Sequence, residues 1–422
     1  MSKTVALHTL GCKLNFSETT AMSRLLEKEG FVKKEFTEPA DLYIINTCSV
    51  TDNADKECRQ LVRRIQRTSP EAMVVVTGCY AQLKPEEIAA IPGVNLVLGA
   101  AEKFNIVEHL KDLTRNDEGK ICSCDIEEVN TFVPSYSIKE RTRIFLKVQD
   151  GCDYNCSFCT IPMARGKSRS DSILNVLNNI EEITKAGAKE VVLTGINLGD
   201  FGKGLHGGKK KEENFFELIE AIENKSEIER VRISSIEPNL LSLEMISFIS
   251  QSKKFMPHFH MPLQSGSDKT LAGMRRRYKK DVYAERVEHI KKLIPHACIG
   301  ADVIVGFPGE TDADFKESSE FISSLDISYL HVFTYSEREN TLAIDLKPVV
   351  PISVRNERNK MLRNMSFVKM QQFTSQHNGQ TRKVLFEGKN KNGMMEGYTD
   401  NYIKITTLYQ PALENKIVDW EI

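Results

Sequence analysis

The sequence has no run of 18 or more apolar residues, no charged-then-apolar leader after Met1 and almost no net charge, at −1. The first two absences argue against a membrane-spanning helix and a secretory signal, so we expect a cytoplasmic protein with no membrane partner. The third argues against a uniformly basic nucleic-acid protein. The chain has 422 residues, 41% hydrophobic and 27% charged, which is the composition of an ordinary soluble protein of two to four domains.

Ten cysteines in a chain of this kind predict reduced thiols rather than a disulfide framework. Cys152, Cys156 and Cys159 stand close together in the run GCDYNCSFCTIP, and we call them the loop triplet. A structural zinc site uses four protein ligands, so this triplet is one short. An iron–sulfur cubane has four irons, so three thiolates leave one iron open to a substrate or cofactor. A zinc knuckle or three buried cysteines is the alternative.

The first 120 residues alternate apolar strands with helices. Strands are predicted at TVALHTLGC, DLYIINTCSV, MVVVTGCYAQ and VNLVLGA, with helices near Ser17–Glu29 and from about Asp52 to Thr68 between them. This order predicts a small parallel α/β sheet. In such sheets the carboxyl ends of the strands form the ligand crevice.

Cys12, Cys48 and Cys79 each follow one of the first three strands, and we call them the strand-end triplet. Their spacings of 36 and 31 residues are about one βα unit each, so the three thiols are expected to converge on a second metal cluster. A single cysteine at a strand end is more often a small buried hydrophobe. The remaining cysteines lack this placement and are expected to be structural: Cys58, Cys122, Cys124 and Cys298.

Beyond a linker, six strands alternate with helices, which predicts an open (β/α)6 barrel with its site at the C-terminal strand ends. Three further strands, RKVLFEGK, GYTDNYIKITT and KIVDWEI, predict a small all-β barrel. The predicted boundaries are 1–120, a linker at 121–140, 141–368 and 369–422. Aromatic residues of the last section are expected to form its core for the most part, with base stacking as the alternative: Phe386, Tyr398, Tyr402, Tyr409 and Trp420.

Three basic runs stand out against the near-zero net charge. They are Arg275–Lys280, Arg355–Lys369 along a predicted helix, and Lys209–Lys211 in a Gly-rich loop. Each one alone is most simply a solvated face. Together they are compatible with a phosphate-binding surface, and Arg275–Arg277 are candidates to meet anticodon-loop phosphates.

Seven strings along the chain are long and specific: LGCKLN, NTCSVT, TGCYAQ, GCDYNCSFC, RISSIEP, MPLQSGSDKTLAGMRRRY and DVIVGFPGET. In this order they closely resemble the methylthiotransferase family of radical S-adenosylmethionine (SAM) enzymes, and the resemblance covers nearly the whole chain. The start Gly-Cys-Lys-Leu-Asn, with Lys13 after Cys12, is similar to the branch that acts on N6-threonylcarbamoyladenosine in tRNA. The C-terminal strands look like an RNA-binding TRAM domain.

The resemblance implies two [4Fe–4S] clusters and SAM as cofactors. The loop triplet would hold the cluster that reduces SAM, and the strand-end triplet would hold an auxiliary cluster with its own open iron. One SAM donates a methyl group to sulfur, and a second yields a radical that removes hydrogen from C2 of the adenine next to the anticodon. The implied partners are the anticodon stem–loop of tRNA, an electron donor protein and a sulfur donor.

Candidate contacts to SAM lie in the motifs at the strand ends of the barrel. Hydroxyl, carboxylate and amide groups there offer partners for the ribose and the amino-acid end, and glycines allow a close approach of the backbone. The residues expected to bind SAM are Phe158, Gly195, Asn197, Ser235, Glu237, Gln264 and Gly306. A strand-end cap or turn is the alternative for each. His258 and His260 are left open between substrate contact and core.

Rival functions remain at this point. Sister branches act on isopentenyladenosine in tRNA or on an aspartate of a ribosomal protein, and few residues separate the branches. A rival outside the enzymes is a metal-binding RNA adaptor, which predicts neither SAM cleavage nor redox activity.

Overall fold

The computed structural model describes residues 3–48, 52–138, 141–204, 211–390 and 392–422. Ser49, Val50 and Thr51 of the NTCSVT motif and the predicted loop residues Lys209 and Lys210 lie outside these ranges. Three units follow one another along the chain, and they contain an α/β sheet, a barrel and an antiparallel sheet. No helix of the described residues has the length and apolarity needed to cross a bilayer.

The N-terminal unit is a parallel sheet with strand order β2-β1-β3-β4-β5-β6, so the predicted parallel α/β sheet is confirmed. Its strands are β1 Thr4–Thr9, β2 Val32–Lys34, β3 Leu42–Thr47, β4 Met73–Gly78, β5 Leu96–Leu98 and β6 Lys120–Cys122. Its helices are α1 Lys13–Lys28, α2 Asp52–Thr68, α3 Cys79–Leu83, α4 Pro85–Ala89 and α5 Ile106–Lys111. The sheet has two strands more than predicted, β2 and β6. Both are three-residue edge strands without an apolar run, so the sequence pattern did not reveal them.

The central strands of this sheet are buried because helices cover both faces, as parallel sheets require. Their register aligns the carboxyl ends. Thr9 of β1 lies opposite Asn46 of β3, and Thr47 of β3 lies opposite Gly78 of β4. The chain therefore leaves three neighbouring strands at one edge of the sheet.

The central unit contains six parallel strands in two sheets of three, β8-β11-β12 and β13-β14-β15. The sheets meet where Val231 bridges Phe255 and the Ile236 amide donates to the His260 carbonyl at 3.0 Å. The outer edge of β8 pairs with the antiparallel strand β7 instead of β15, so the barrel is open as predicted. These strands are β7 Ser135–Tyr136, β8 Arg143–Lys147, β11 Glu190–Thr194, β12 Arg230–Ile233, β13 His258–Gln264, β14 Cys298–Val305 and β15 Tyr329–Thr334.

Helices cover the outside of the barrel, and a short antiparallel pair flanks the loop triplet. The pair is β9 Gln149–Asp150 with β10 Arg169–Ser170. The helices are α6 Ile161–Arg165, α7 Ile173–Lys185, α8 Phe215–Lys225, α9 Leu243–Gln251, α10 Asp268–Gly273, α11 Lys280–Leu293, α12 Asp312–Ser324 and α13 Ile352–Ser375. Their apolar faces and the strand faces that they cover form one core.

The basic helix predicted near Arg355–Lys369 is α13, and it packs against β15. Its first two arginines are buried, which overturns their assignment to a phosphate-binding face. Arg355 Nη1 donates to Glu337 at 3.0 Å, and Arg358 pairs with Glu310 and Asp312. These arginines anchor the helix to the barrel.

The C-terminal unit is an antiparallel sheet with strand order β18-β17-β16-β19, which confirms its all-β class. The strands are β16 Thr381–Lys389, β17 Met394–Thr399, β18 Lys404–Leu408 and β19 Ile417–Glu421. The predicted single strand over GYTDNYIKITT is wrong, because a turn at 400–403 divides it. Tyr402 there has a φ of 71°, and Thr399 and Asn401 hydrogen-bond across the turn at 2.7 Å.

The aromatic residues of this unit divide into two groups. Phe386 is buried and meets Trp420 edge-on at 5.1 Å between ring centroids, as core residues do. Tyr402 instead stacks on His258 of the barrel, with centroids 3.9 Å apart and an interplanar angle of 7°. The turn that carries Tyr402 is thus seated on the N-terminal end of β13.

The predicted domain boundaries stay predictions. Strand β6 falls within the range assigned to the linker, and α13 runs through residue 369 to Ser375 before β16 begins at Thr381.

Candidate functional site

The strand-end triplet lies at the carboxyl ends of β1, β3 and β4, which are neighbours in the sheet. Glycines allow the three turns to crowd together. Gly11 and Gly78 both have a φ of 100°, and a Cβ added to Gly11 would lie 2.8 Å from the Cys48 sulfur. The turn that bears Cys12 therefore packs directly against Cys48, and the predicted convergence of the strand ends is present.

Asn15 fixes this convergence by joining two of the turns. Its buried amide donates to the Leu10 carbonyl before Cys12 and to the Thr47 carbonyl before Cys48, both at 2.9 Å. Asn46 returns the contact by donating to the Asn15 carbonyl at 3.0 Å. The asparagines of the LGCKLN and NTCSVT strings were visible in the sequence, but their partners are long-range and could not be identified from it.

The loop triplet follows β9. Gly151 opens the loop with a φ of 68°, and a Cβ there would lie 2.0 Å from the Lys167 carbonyl oxygen. Within the loop, the Tyr154 amide donates to the Cys152 sulfur at 3.4 Å, and Arg276 Nη1 donates to the Cys156 sulfur at 3.3 Å. The Arg276 contact was not predicted.

Burial and the neighbouring thiols of Cys159 and Cys156 raise the pKa of the Cys152 thiol to about 12, although the hydrogen bond from the Tyr154 amide opposes the rise. Burial likewise raises the pKa of Cys159 to about 12. A metal ion that binds this triplet must displace three tightly held protons. Iron and zinc can both do so, because they bind thiolate ligands strongly. The donor set is thus suited to a metal group that remains bound.

The number of thiols distinguishes between metal groups. A lone structural zinc takes four protein ligands, so each triplet is one short. A cubane has four irons, and three thiolates leave one of them open. Among the residues that the structure describes, a separate set of three possible ligands, His260, Asp302 and His331, has its ligand atoms within 4.8 Å of one another.

A buried charge cluster joins the N-terminal unit to the barrel beneath the two triplets. Glu18 on α1 is fully buried and contacts Lys103 at 2.7 Å, Lys147 at 3.1 Å and Arg165 at 3.2 Å. Arg165 also contacts Asp150, at 2.9 Å. We call the set the interdomain charge cluster, and its members are Glu18, Lys103, Lys147, Asp150, Arg165 and Arg169.

The interdomain charge cluster contains four cations and two carboxylates, so it carries an excess of positive charge. Burial alone would raise the pKa of Glu18, but Arg165, Lys103 and Lys147 hold it well below its usual range. Burial raises the pKa of Cys79, and the nearby Arg165 opposes that rise. The excess positive charge therefore faces the strand-end triplet, where it favours thiolates and an anionic group bound to them.

The contact between the N-terminal unit and the barrel also brings the two triplets to the same opening, which we call the mouth of the barrel. Helix α3 begins at Cys79, helix α6 begins two residues after Cys159, and the two helices pack against each other. Arg165 at the end of α6 hydrogen-bonds Asn15 of the N-terminal unit. Both triplets therefore border the C-terminal face of the barrel.

Two of the predicted SAM contacts share a cavity with the loop triplet. Phe158, Cys159 and Gln264 line a space of about 250 Å³ together with Asp302 and Tyr335. The buried Oε1 of Gln264 has no hydrogen-bond partner among the described residues, and its φ of 64° is strained for a non-glycine residue. Both features are typical of a residue that is held for a ligand.

Asn197 and Gly195 lie at the end of β11. Both side-chain atoms of Asn197 are buried without a hydrogen-bond partner in the described structure, which leaves the amide available to a ligand. Gln149 orients this turn, because its Oε1 accepts from the amides of Ile196 and Asn197 at 2.8 Å each. A Cβ at Gly195 would lie 2.9 Å from that oxygen, so glycine is needed there for the turn.

Glu237 lies near Cys156, where Arg276 pairs with its carboxylate. Burial raises the pKa of Glu237, and Arg276 opposes that rise. The half-buried Ser235 lies two residues earlier, after β12. The structure thus brings Glu237 to the loop triplet, with Arg276 as a partner that the sequence did not reveal.

One predicted role is overturned and another stays a prediction. The Gly306 amide donates to Glu310 at 2.9 Å, and a Cβ there would lie 2.3 Å from the Arg355 side chain, so packing of α13 requires a glycine here, while its contact to SAM stays a prediction. Arg276 was a candidate for anticodon-loop phosphates, but its side chain is 4% exposed because it is committed to Glu237 and Cys156. Arg277, by contrast, is exposed and stacks on Tyr154 at 4.0 Å.

A larger cavity of about 520 Å³ lies between the N-terminal unit and the barrel lumen. Cys12, Lys13 and Phe16 form one wall and Arg141, Arg143, Phe145 and Arg232 another, with His258 and Tyr402 also lining it. Lys13 is exposed as a residue, but enclosure by the cavity walls and the neighbouring Arg143 lower the pKa of its ammonium, and Asp302 opposes the shift. The cavity is thus rich in cations and borders Cys12.

The two histidines have different surroundings. His258 is buried, and burial holds its pKa well below the usual range, so its ring is a neutral part of the cavity floor between Tyr329 and Tyr402. His260 pairs with Asp302 at 3.1 Å, and His331 contacts the same carboxylate oxygen at 3.3 Å.

The four cysteines expected to be structural fit that role. Cys58 and Cys298 are fully buried in apolar clusters, and burial raises the pKa of Cys298 to about 12. Cys122 lies on the edge strand β6, and the Cys124 carbonyl accepts from Gln82 at 3.0 Å.

Comparison with known proteins identifies two sequence families. Residues 4–99 match the family described as uncharacterized protein family UPF0004, and residues 146–322 match the radical SAM superfamily. Among solved structures, the cobalamin-binding radical SAM methyltransferase TsrM of Kitasatospora setae is similar, with a TM-score of 0.56 over 82% of this chain and 77% of that chain. At 14% identity this similarity shows the fold alone.

Closer relatives share nearly the full length. The threonylcarbamoyladenosine tRNA methylthiotransferase MtaB of Bacillus subtilis is 38% identical over 99% of this chain and 93% of its own, and that of Aquifex aeolicus is 37% identical over 95% and 96%. The tRNA-2-methylthio-N(6)-dimethylallyladenosine synthase of Clostridium tetani is 30% identical over 99% and 93%.

Proposed function

Since the chain belongs to the methylthiotransferase family of radical SAM proteins, we propose that it attaches a methylthio group to C2 of N6-threonylcarbamoyladenosine next to the anticodon of tRNA. The relatives named for that nucleoside are more similar to the chain than the one named for dimethylallyladenosine. The observation that carries the proposal is the pair of separate cysteine triplets at one mouth, since one triplet serves radical formation and a second is needed for sulfur.

The cofactors of this family are [4Fe–4S] clusters and SAM. The loop triplet would hold the cluster next to SAM, and the strand-end triplet would hold the auxiliary cluster. When bound, these groups would supply an electron, a carbon radical that removes the C2 hydrogen, and the methylated sulfur that replaces it. Both triplets fit such groups, because each offers three thiols and would leave one of the four irons of a cubane open.

The chain's own residues position these components. Gln149 shapes the turn that presents the free Asn197 amide, and Phe158 and Gln264 line the cavity beside Cys159. Arg276 places a positive charge against Cys156 and Glu237. Arg165 fixes the strand-end triplet against the barrel and offsets its negative charge. Preorganised charges of this kind act strongly where water is excluded.

The proposal also includes the partners. An electron donor protein and a sulfur donor are required for turnover, since reduction of SAM and loss of sulfur consume both. The anticodon stem–loop is the RNA partner, and the cytoplasm is the compartment where tRNA is found.

Nucleoside mass spectrometry of tRNA from cells that lack the chain tests the proposal. The 2-methylthio derivative of N6-threonylcarbamoyladenosine should disappear, and its unmodified precursor should accumulate. Loss of the methylthio derivative of isopentenyladenosine instead would support the sister activity.

Visible absorption of anaerobically purified protein tests the adaptor alternative. Iron–sulfur clusters absorb visible light and zinc sites do not. A colourless protein that binds zinc and does not cleave SAM would support the adaptor and refute the enzyme.

A further inference from the structure

The cation-rich cavity beside Cys12 has two cations without an anionic partner. Arg143 and Arg232 are both committed, since Arg143 pairs with Glu387 at 2.7 Å and Arg232 pairs with Glu190 at 2.7 Å. Lys13 and Arg141 form no ion pair or polar hydrogen bond with any residue that the structure describes. These two side chains therefore supply binding capacity that the fold itself does not use.

Lys13 occupies an unfavourable place for a cation. It is the first residue of α1, where the positive end of the helix dipole lies and where acidic residues are favoured. It also faces a cavity that contains Arg143 and Arg232. Helix stability therefore does not explain a lysine at this position. An anion that enters the cavity from outside would stabilise the Lys13 ammonium.

Arg141 is an exposed residue whose guanidinium lies against two aromatic rings. Its guanidinium lies over the Phe16 ring at 4.4 Å and over the Phe145 ring at 5.3 Å from the centroids. Phe16 is three residues after Lys13 on α1, so the contact with Phe16 brings the Arg141 side chain from the facing wall toward the Lys13 side of the cavity. A guanidinium stacked on aromatic rings keeps its forked N–H donors free in its own plane, where they match the two oxygens of a carboxylate.

The chemistry of the proposed substrate provides such a carboxylate. The threonylcarbamoyl group carries a free carboxylate on its threonine part, whereas an isopentenyl group is uncharged and apolar. On adenine, C2 and the carbon that bears N6 flank the same ring nitrogen, so the N6 substituent extends along the edge that contains C2. A group that binds this substituent must therefore lie beside the sulfur donor, and Lys13 directly follows Cys12.

We propose that Lys13 and Arg141 together bind the carboxylate of the threonylcarbamoyl group and thereby select this substrate over the isopentenyl nucleoside. The inference rests on the proposed function and names the residues that determine its specificity. The cavity of about 520 Å³ is within the range of small-ligand sites, which is large enough for the N6 substituent.

Binding of fluorescent anticodon stem–loops tests the proposal directly. Three RNAs are compared: one with N6-threonylcarbamoyladenosine, one with its methyl ester and one with plain adenosine. The unaltered protein should bind the acid about tenfold or more tightly than the ester, as expected for hydrogen bonds to a charged group. Lys13→Gln should weaken binding of the acid about tenfold and leave the ester and adenosine RNAs within about twofold.

Arg141→Lys separates geometry from charge, because it keeps the cation and loses the planar fork. It should weaken binding of the acid several-fold, less than Lys13→Gln does, and should not affect the ester. The matched control is Lys28→Gln, which removes an exposed lysine from the far end of the same helix. Iron content and visible absorption confirm that each variant is loaded.

Each other outcome overturns the proposal. If Lys13→Gln weakens all three RNAs equally, the cavity binds RNA phosphate. If the unaltered protein binds acid and ester equally, the carboxylate is not recognised. Product analysis of the same RNAs keeps the proposed function separate: methylthiolation of acid and ester with equal efficiency refutes only the carboxylate site, whereas no methylthiolation of the acid refutes the function itself.

Discussion

The loop triplet comes from one loop of eight residues, whereas the strand-end triplet comes from three strand ends 36 and 31 residues apart. Local turns shape the first, and hydrogen bonds within its own segment hold it together with a few long-range contacts, such as that of Arg276 with Cys156. The second depends on sheet register, on the amides of Asn15 and Asn46, and on charges from the barrel. The same number of thiols is thus obtained once from local sequence and once from tertiary structure, and the second arrangement is the more easily disturbed.

The largest expected effect comes from removing one thiol of each triplet. Cys156→Ala should abolish formation of 5′-deoxyadenosine, because radical formation depends on the loop triplet. Cys48→Ala should retain uncoupled SAM cleavage and form no methylthiolated RNA. Both products are measured by liquid chromatography and mass spectrometry. Normal SAM cleavage by Cys156→Ala, or methylthiolated tRNA from Cys48→Ala, would refute the separate roles.

The interdomain charge cluster should matter next. Glu18→Gln leaves Lys103, Lys147 and Arg165 buried with one carboxylate fewer, and breaking such a network costs about 3–5 kcal/mol of unfolding free energy. Urea unfolding measures it. The control Glu181→Gln breaks an exposed pair with Lys185 and should cost less than about 0.5 kcal/mol. Equal costs would show that the cluster does not hold the two units together.

The close packing of Gly11 against Cys48 allows the strand-end triplet to be disturbed separately from the loop triplet by adding a single carbon atom. Gly11→Ala places a methyl group against Cys48, so the strand-end triplet should lose its cluster and the iron content of reconstituted protein should fall to roughly half. Gly187→Ala is the control, because Gly187 has a φ of 90° and nothing within 4 Å of the added carbon. It should cost about 1 kcal/mol of stability and no iron. Full iron content in Gly11→Ala would contradict the proposed packing.

The smallest effect concerns the C-terminal unit. Its turn at 400–403 stacks on His258 of the barrel, and no contact of this turn with a triplet cysteine is found among the described residues. Tyr402→Leu and His258→Leu should show a coupling energy of about 0.5–1.5 kcal/mol in a double-mutant cycle on unfolding. Iron content should not change in either variant. A loss of iron in either variant would show that the C-terminal unit also helps to hold a cysteine triplet in place.

Sheet class, barrel class and cysteine convergence could be predicted, because each depends on short patterns that repeat. Apolar runs marked β1, β3 and β4, and parallel pairing placed Cys12, Cys48 and Cys79 at one edge. The edge strands β2 and β6 carry no such pattern and were missed. The turn at 400–403 was missed although Asp400 and Asn401 are common turn residues, and tertiary contacts of Asn401 hold it.

The partners of the buried charges around the triplets could not be predicted, because each charged residue was interpreted as part of its local sequence pattern. Arg276 lies in a basic run that resembles a phosphate-binding face, yet its partners Glu237 and Cys156 lie 39 and 120 residues away. Glu18 lies in an ordinary helix, and its partner Arg165 is 147 residues away. Pairings at such separations follow from the packed fold and leave no spacing signal in the sequence.

The interdomain charge cluster also limits how the chain can be recombined. Glu18 and Lys103 belong to the N-terminal unit, and Lys147, Asp150, Arg165 and Arg169 belong to the barrel. A chimera that takes one unit from a relative with different charges at these positions would bury unmatched ions at the seam. We therefore expect the two units to be exchangeable only together. The C-terminal sheet is tied to the barrel as well, through the Arg143–Glu387 pair and through hydrogen bonds from Arg232 to the Thr399 and Asp400 carbonyls.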